Sequence, residues 1–303
     1  MELLLARTRH FLDIDGLSLA DAGHLLQRAA SFKRMTTYPR YPHVQLATLF
    51  YENSTRTRLS FELAAHKLGC FVVRFDAAVS SESKGELMQD TLQTLAALGV
   101  HGAVIRHPDA GVLEPLASMH PSLCLINAGD GTHAHPTQAM LDLMTIIENK
   151  PAFPVLKIAV VGDLRRSRVV NSFQAICRLY GVSDLVLISP QAWRPHIQRF
   201  GRWTDSLHDG LDGADVVITL RVQRERFLAS ESVDAANWQD YALTTARLKY
   251  AKADAIVMHP GPVNRGVEMV SELVDGPQSC ILQQVHNGVY MRVAVLEWLL
   301  GAA

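Results

Sequence analysis

A strand-to-helix turn lies in the stretch LATLFYENSTRTRLSFE, residues 46–62. Its apolar beginning, residues 46–51, predicts a β-strand. A helix is predicted next, because Ser54 and Thr55 occupy N-cap positions and the following apolar side chains recur at helical spacing. Gly69 predicts the end of that helix. A strand that leads directly into a helix is the building unit of an α/β fold.

The start of this helix has the chemistry of an anion site. The first N–H groups of a helix lack intrahelical partners and the helix dipole is positive there, so a phosphate or another compact dianion binds favourably. Ser54 and Thr55 offer hydroxyl groups at this position, and Arg56 would add a planar bidentate donor. The alternative is a capped helix with a solvated arginine pair. Arg58 is predicted to be structural, in an ion pair with Glu62 one turn on.

The composition is that of an ordinary globular protein with no bias towards nucleic acids or membranes. The chain has 303 residues, of which 48% are hydrophobic and 19% charged, and this length predicts two domains. A net charge of −1 provides no basic excess that would attract nucleic acid or a membrane surface. The N-terminus lacks a signal-peptide pattern, and no apolar run reaches roughly 18 residues, so we expect a cytoplasmic protein.

The cysteines indicate neither a metal site nor a disulfide framework. Cys70, Cys124, Cys177 and Cys280 are far apart in the sequence and form no Cys-x-x-Cys pair. Such cysteines are typical of small buried side chains in a reducing compartment. We therefore expect no metal centre.

Short apolar runs alternate with stretches of helical period, which predicts parallel sheets covered by helices on both faces. The eight predicted strands could form one barrel or two four-stranded units. Two units are favoured, because Pro151–Pro154 follows a long helix and is typical of an inter-domain joint. The predicted strands are residues 46–51, 70–75, 102–106, 123–127, 157–162, 184–189, 215–220 and 255–259.

The expected fold class is therefore α/β, with two doubly wound domains, each built on a mainly parallel sheet flanked by helices. The first domain is expected at residues 1–135, joined by a C-terminal helix at 286–303, and its entry segment, residues 8–35, is predicted to be helical. A linking helix is expected at 136–149 and the second domain at 150–285.

Polar side chains follow four successive strands of the first half. Since ligands of open α/β sheets bind beyond the carboxyl ends of the strands, these side chains are expected to converge. Residues 54–58 offer Ser, Thr and Arg, the loop 76–86 offers Ser and Lys, and Arg106 ends the third strand. Residues 128–138 follow the fourth strand and end in His135-Pro-Thr-Gln138. The four ends together strengthen the prediction of an anion site.

The segment His135–Gln138, like residues 54–58, is predicted to be the start of a helix. Pro136 is favourable at the first helical position, where its missing N–H costs nothing. His135 and Gln138 would then lie at the helix N-terminus, above the sheet. An isolated histidine is more commonly structural than catalytic, but its place at a strand-to-helix turn favours a functional role here.

The second half offers a different chemistry at its strand ends. Residues 162–168 follow a strand and precede a helix but lack Gly-x-Gly-x-x-Gly, which argues against a dinucleotide site. Arg168, Arg221, Gln223 and Arg226 suit a ligand that carries carboxylates. The alternative is a salt-bridged surface.

These motifs together resemble the aspartate and ornithine carbamoyltransferase family over nearly the whole chain. The motifs of the wider family are Ser-Thr-Arg-Thr-Arg at residues 54–58 and His-Pro-x-Gln at 135–138. The aspartate branch is indicated by Arg-Val-Gln at 221–223 and His-Pro-Gly-Pro at 259–262. The Ser-Met-Gly and His-Cys-Leu-Pro motifs of the ornithine branch are absent. Two small departures, Leu87 and His286, remove no residue with an assigned role.

The resemblance implies transfer of the carbamoyl group of carbamoyl phosphate to the amino group of L-aspartate, a step of de novo pyrimidine (UMP) biosynthesis. The products are N-carbamoyl-L-aspartate and phosphate. The implied residues for carbamoyl phosphate are Ser54, Thr55, Arg56, Thr57, Ser80, Lys84, Arg106, His135 and Gln138. Those with a catalytic part are Arg56, Thr57, Lys84, Arg106 and His135.

The resemblance also implies a second substrate site and a shared assembly. Ser80 and Lys84 would come from the neighbouring subunit of a homotrimer, and regulatory or dihydroorotase-like chains could add a higher assembly. Glu52 would bind arginines such as Arg168 and Arg226 when the domains close. No cofactor is implied. The implied residues for L-aspartate are Lys84, Arg168, Arg221, Gln223, Gly261 and Pro262.

Three other functions are weighed against this one. Ornithine carbamoyltransferase is the nearest rival, and an assay with both amino acids separates the two. An oxidoreductase or kinase on a doubly wound fold is disfavoured, since neither Gly-x-Gly-x-x-Gly nor a P-loop is present. A catalytically silent relative that only assembles with another enzyme has no support, because every matched site position is occupied.

Overall fold

The computed structural model describes residues 10–75, 85–120, 122–195, 197–222 and 239–300. It divides the chain into two compact units, Met1–Met140 with Asn287–Ala303, and Leu141–His286. In each unit a parallel sheet is flanked by helices, which confirms the predicted fold class.

The sheet of the first unit has four parallel strands in the order β2-β1-β3-β4. The strands are β1 (Gln45–Phe50), β2 (Phe71–Phe75), β3 (Gly102–His107) and β4 (Cys124–Asp130). The helices that begin in this unit are α1 (Leu19–Arg34), α2 (Thr55–Lys67), α3 (Met88–Ala97), α4 (Leu113–Met119) and α5 (Pro136–Asn149).

Helix α2 forms as its sequence predicts. The hydroxyl of Ser54 accepts a hydrogen bond from the N–H of Thr57 at 3.4 Å, which caps the first turn. The apolar side chains that recur at helical spacing, Phe61, Ala64, Ala65 and Leu68, are buried. The helix ends at Lys67, and Gly69 takes the positive φ of +69° that lets the chain turn back into β2.

The entry segment is only partly helical, so the prediction for residues 8–35 was too long. Phe11 pairs with β4 through backbone hydrogen bonds to Leu125 and Asn127, which makes this position extended. Helix α1 begins after Ser18, where Ser18 and Asp21 form a capping box. The helix therefore begins at Leu19, eleven residues after the predicted start at residue 8.

The sheet of the second unit has five parallel strands, one more than predicted, in the order β7-β6-β5-β8-β9. The additional edge strand has three residues, too few to show a period in the sequence. The strands are β5 (Lys157–Val161), β6 (Asp184–Ile188), β7 (Arg202–Thr204), β8 (Val216–Thr219) and β9 (Ile256–Met258). The helices are α6 (Arg168–Tyr180), α7 (Leu207–Leu211), α8 (Thr245–Leu248), α9 (Ser271–Val274) and α10 (Ile281–Leu300).

Two helices carry the chain from one unit to the other. The division falls within α5 after Met140 and within α10 after His286. Each unit has its own apolar core, made by the inward side chains of its sheet and by the helices that cover it. Among the described residues, no helix combines the length and the apolar character needed to cross a membrane.

Candidate active site

The predicted phosphate site lies at the N-terminus of α2. Ser54 is the N-cap residue, and Thr55, Arg56 and Thr57 form the first turn. Thr55 and Arg56 are exposed, whereas Thr57 is buried. The exposed hydroxyl and guanidinium groups therefore lie beside the positive end of the helix dipole, where an anion from solvent can reach them.

Arg106 joins this helix start through the register of the sheet. Phe50 at the end of β1 is the register partner of Arg106 in β3, and the N–H of Tyr51 donates to the carbonyl of Arg106 at 2.9 Å. The Arg106 guanidinium donates through Nη1 to the carbonyl of Ala128 at 3.2 Å. Its Nη2 lies 2.8 Å from Oε2 of Glu52. The β1–α2 turn and the end of β3 thus form one edge of the sheet.

His135 and Gln138 lie at the start of α5, directly after β4. Both side chains are buried, and the N–H of Gln138 donates to the carbonyl of His135 at 3.0 Å. Because β4 is the neighbour of β3 in the sheet, three of the four predicted strand ends are adjacent. The fourth, the loop after β2, carries Ser80 and Lys84, which lie outside the described residues.

Asp130 organises the turn that leads to His135, although no role is predicted for it from the sequence. Its carboxylate accepts hydrogen bonds from Asn127 Nδ2 at 2.9 Å, Gly111 N at 2.8 Å and Ala134 N at 3.0 Å. His133 Nδ1 lies 2.9 Å from the same carboxylate. Burial alone would raise the pKa of Asp130, but these hydrogen bonds, with His133 foremost, bring the pKa below its ordinary value.

Gly131 shows how closely this turn packs. Its φ is +46°, and an added Cβ would lie 2.5 Å from the backbone nitrogen of Ala110. Only glycine fits both conditions. The Gly-Asp-Gly triplet at residues 129–131 was the sequence signal for a tight turn built on Asp130.

The predicted residues for a carboxylate ligand follow neighbouring strands of the second unit. Arg168 begins α6 after β5, and its N-cap Ser167 accepts from Val170 N at 3.3 Å. Arg221 follows β8, and Gly261 with Pro262 follows β9. Since β5, β8 and β9 are adjacent in the sheet, these positions share its carboxyl edge. Gln223 and Arg226 lie outside the described residues.

A buried carboxylate joins two of these strand ends. Glu268 accepts from Val222 N, the residue after Arg221, at 2.9 Å. It also accepts from the backbone N and the Nδ2 of Asn264, both at 2.8 Å. Glu268 therefore connects the backbone that follows β8 to the loop that carries Gly261 and Pro262.

One ion pair differs from the sequence-based expectation. The predicted pair of Arg58 with Glu62 is wrong, because Arg74 of β2 binds both carboxylate oxygens of Glu62, at 2.9 and 2.6 Å. The Arg58 guanidinium lies over the ring of Phe50, 5.0 Å from its centroid. Glu52 contacts Arg106, as described above, and its predicted pairing with Arg168 and Arg226 remains a prediction.

The described residues contain no cluster of three or more histidine, cysteine or acidic side chains that could hold a metal ion. The cysteines Cys70, Cys124, Cys177 and Cys280 are free thiols and all are buried, as expected from the sequence. The described residues of the site offer hydrogen bonds and positive charge from arginine, histidine, hydroxyl and backbone groups.

Two family models cover most of the chain. Residues 9–148 match "Aspartate/ornithine carbamoyltransferase, carbamoyl-P binding domain", and residues 155–299 match "Aspartate/ornithine carbamoyltransferase, Asp/Orn binding domain". The chain belongs to the aspartate/ornithine carbamoyltransferase family. The predicted family is confirmed, and the two models follow the two sheets of the fold.

Curated relatives of this carbamoyltransferase family align end to end with the chain. The aspartate carbamoyltransferase catalytic subunit of Legionella pneumophila strain Corby is 55% identical over 296 residues, which are 97% of this chain and 100% of that protein. The subunit of the same name from Xanthomonas campestris pv. campestris strain B100 is 43% identical and covers 97% of both chains.

Solved structures of family members share the fold. Aspartate transcarbamoylase from Trypanosoma cruzi, in complex with carbamoyl aspartate and phosphate, superposes with a TM-score of 0.88 at 30% identity over 96% of this chain and 95% of that one. Ornithine carbamoyltransferase from Pyrococcus furiosus has a TM-score of 0.88 at 25% identity over 98% of both chains. Both branches of the family therefore have this architecture.

Proposed function

We propose that this protein is an aspartate carbamoyltransferase, which transfers the carbamoyl group of carbamoyl phosphate to L-aspartate. The observation that carries the proposal is the end-to-end similarity, at 55% and 43% identity, to catalytic subunits of that name. The adjacency of the α2 start, Arg106 and His135 supports it, because a phosphate and a carbonyl oxygen need such donors side by side. Transfer of a labelled carbamoyl group to aspartate by the purified chain tests it.

The first substrate binds at the edge formed by β1, β3 and β4. Ser54, Thr55, Arg56 and Thr57 hold its phosphate at the start of α2. Arg106, His135 and Gln138 hold its carbamoyl group, and the hydroxyl of Thr55 reaches the carbonyl oxygen. Ser80 and Lys84 add donors to the phosphate.

The reaction is an attack of the neutral α-amino group of aspartate on the carbonyl carbon. A C–N bond forms, and the carbonyl becomes a tetrahedral oxyanion that Arg106, His135 and Thr55 stabilise. Collapse of this intermediate breaks the C–O bond to phosphate, and the leaving phosphate accepts the proton of the amine. Arg56 and Lys84 neutralise its charge. The protein supplies position and electrostatics and forms no covalent intermediate.

The second substrate binds at the edge formed by β5, β8 and β9. Arg168 and Arg221 bind the two carboxylates of aspartate, and Gln223 adds a polar contact. Backbone groups of Gly261 and Pro262 line the pocket, and Lys84 reaches it from the side of the first substrate. When both substrates are bound, Glu52 binds Arg168 and Arg226, which excludes water from the labile carbamoyl phosphate.

The active enzyme is a homotrimer whose sites are shared between subunits. An exposed apolar surface supports a second copy at the β2 edge: Leu59 and Leu63 on α2 are 50% and 52% exposed, and Phe71 on β2 is 63% exposed. An edge strand beside exposed apolar side chains favours association. Regulatory or dihydroorotase-like chains would extend the trimer to a higher assembly. As an enzyme of pyrimidine biosynthesis, the protein is expected to act in the cytoplasm.

Mixing two inactive variants tests the shared site. Arg56→Ala and Lys84→Ala each lose activity alone, since each removes one phosphate donor from every site. After subunit exchange, random mixed trimers regain about one quarter of the wild-type activity if Lys84 is supplied by the neighbouring subunit. Each variant taken through the same exchange alone is the control. No recovery after mass spectrometry has confirmed exchange contradicts the shared arrangement.

A further inference from the structure

A buried hydrogen-bond network leads from α5 to the loop after β9. Nε2 of Gln284 donates to Oδ1 of Asp142 at 2.7 Å, and Oε1 of Gln284 accepts from His259 N at 2.9 Å. Nδ1 of His259 accepts from Gly261 N at 2.8 Å. We call these four residues the Gln284 network. Asp142, Gln284 and His259 are at most 2% exposed.

The chemistry of the partners fixes the direction of every bond. A carboxylate such as Asp142 only accepts, and the N–H groups of His259 and Gly261 only donate. The Gln284 amide must therefore turn its nitrogen to Asp142 and its oxygen to His259. His259 must in turn present an unprotonated Nδ1 to Gly261. Gln284 is the one member that both donates and accepts through its side chain, so the network depends on it.

The network ends on the backbone that is proposed to line the aspartate pocket. Gly261 N is held by His259, and Pro262 follows directly. At the other end, Asp142 lies on α5, four residues after Gln138 of the carbamoyl phosphate site. The loop proposed to line the aspartate pocket is thereby connected by hydrogen bonds to Asp142 within its own unit.

We propose that Gln284 is a positioning residue for L-aspartate, acting through His259 on the backbone of Gly261. This inference rests on the proposed function, because it takes aspartate as the ligand of that loop. Gln284 lies 22 residues after Pro262 and is not among the residues implied for either substrate. Its effect is therefore on the affinity for aspartate, and the chemical step and the phosphate site are left intact.

The disruptive variant is Gln284→Leu, which keeps the size of the side chain and removes both of its hydrogen bonds. We expect the KM for aspartate to rise about tenfold, as the loss of a buried hydrogen bond predicts. We expect kcat to stay within about threefold and the dissociation constant of inorganic phosphate, measured by calorimetry, to stay unchanged. Equal losses in KM, kcat and phosphate binding, or a wild-type KM, would overturn the proposal.

A conservative double variant keeps the network with reversed polarity. In Asp142→Asn with Gln284→Glu, the new amide at 142 donates to the new carboxylate at 284, which still accepts from His259 N. Net charge and shape are retained, so this variant should keep a KM within about threefold of wild type. It stays informative even if Gln284→Leu does not fold. A rise of about tenfold or more in the KM of the double variant would overturn the proposal.

The neighbouring Gln283 offers a matched control. It lies on the same helix and also contacts α5, through Glu148 and Asn149, but its hydrogen bonds are exposed. Gln283→Leu should leave the KM for aspartate unchanged. Hydrogen exchange at the Gly261 amide gives a readout that needs no activity: it should accelerate in Gln284→Leu and remain slow in the double variant. Unchanged exchange in Gln284→Leu overturns the network, whereas a wild-type chain that does not carbamoylate aspartate overturns the proposed function.

Discussion

The carboxylate of Glu52 lies 2.8 Å from Nη2 of Arg106, the residue proposed to bind the carbamoyl oxygen. The Arg106 guanidinium also donates to Ala128, so its position is set from two sides. Glu52 is 28% and Arg106 12% exposed at the side chain, and the pair is therefore only partly screened by water. Glu52 thus influences both the position and the local charge of the guanidinium group that is proposed to bind the substrate.

Glu52→Gln should tighten binding of inorganic phosphate. The substitution removes a negative charge beside the anion site and weakens a competitor for Arg106. The gain is expected to reach up to about fivefold in the dissociation constant, the range of a partly exposed ion pair. Calorimetry with phosphate measures it, and Glu114→Gln, which removes an exposed charge from α4, is the matched control. Weaker phosphate binding in Glu52→Gln would contradict competition for Arg106.

Arg106→Ala should fold normally and lose most of its turnover. Loss of one oxyanion donor typically lowers kcat by roughly 10²–10³-fold. Steady-state kinetics and thermal unfolding measure the two effects. Arg58→Ala is the control, because Arg58 lies over the Phe50 ring and is predicted to be structural. Near-normal turnover in Arg106→Ala would rule out its assigned role.

Asp130→Asn should lower stability at neutral pH by about 1–3 kcal/mol, the cost of leaving buried donors without a full acceptor. The folded-state pKa of Asp130 lies below the ordinary value of 3.8. The ionised carboxylate therefore stabilises the fold above pH 3.8, and this contribution is lost as pH falls through the lower folded-state pKa. Denaturant unfolding of both proteins at several pH values should show a difference that shrinks in acid. A pH-independent difference would contradict this.

The four cysteines should resist thiol reagents in the folded protein. Burial raises the pKa of Cys124 to about 12 and that of Cys177 well above the ordinary value, and the pKa values of Cys70 and Cys280 are also raised. Since the thiolate is the reactive form, colorimetric titration at pH 8 should find few reactive thiols before denaturation and four after it. Rapid reaction of all four in the native protein would contradict their burial.

Local sequence patterns predicted the parts of the fold and site that depend on local structure. The N-cap at Ser54, the helix end before Gly69 and the helix start after His135 all follow from neighbours in the chain. The partners of Glu52, Glu62 and Gln284 could not be predicted, because each depends on a side chain from another element. Strand β7 was missed because three residues carry no period.

The predicted domain bounds, with a joint at Pro151–Pro154, remain a prediction, and the two compact units divide within α5 after Met140 and within α10 after His286. Asp130 was overlooked because its donors, Gly111, Asn127 and Ala134, come together only when the β3–α4 loop packs on the β4–α5 turn. In the sequence, only the position of Asp130 between two glycines indicates its structural role.

The most direct test of the proposed function is the choice between two amino acids. The purified chain is incubated with labelled carbamoyl phosphate and either L-aspartate or L-ornithine, and the products are separated by chromatography. We expect N-carbamoyl-L-aspartate and phosphate in equal amounts, with no product from ornithine above the rate of the Arg106→Ala variant. Carbamoylation of ornithine in preference to aspartate, or of neither, would contradict it.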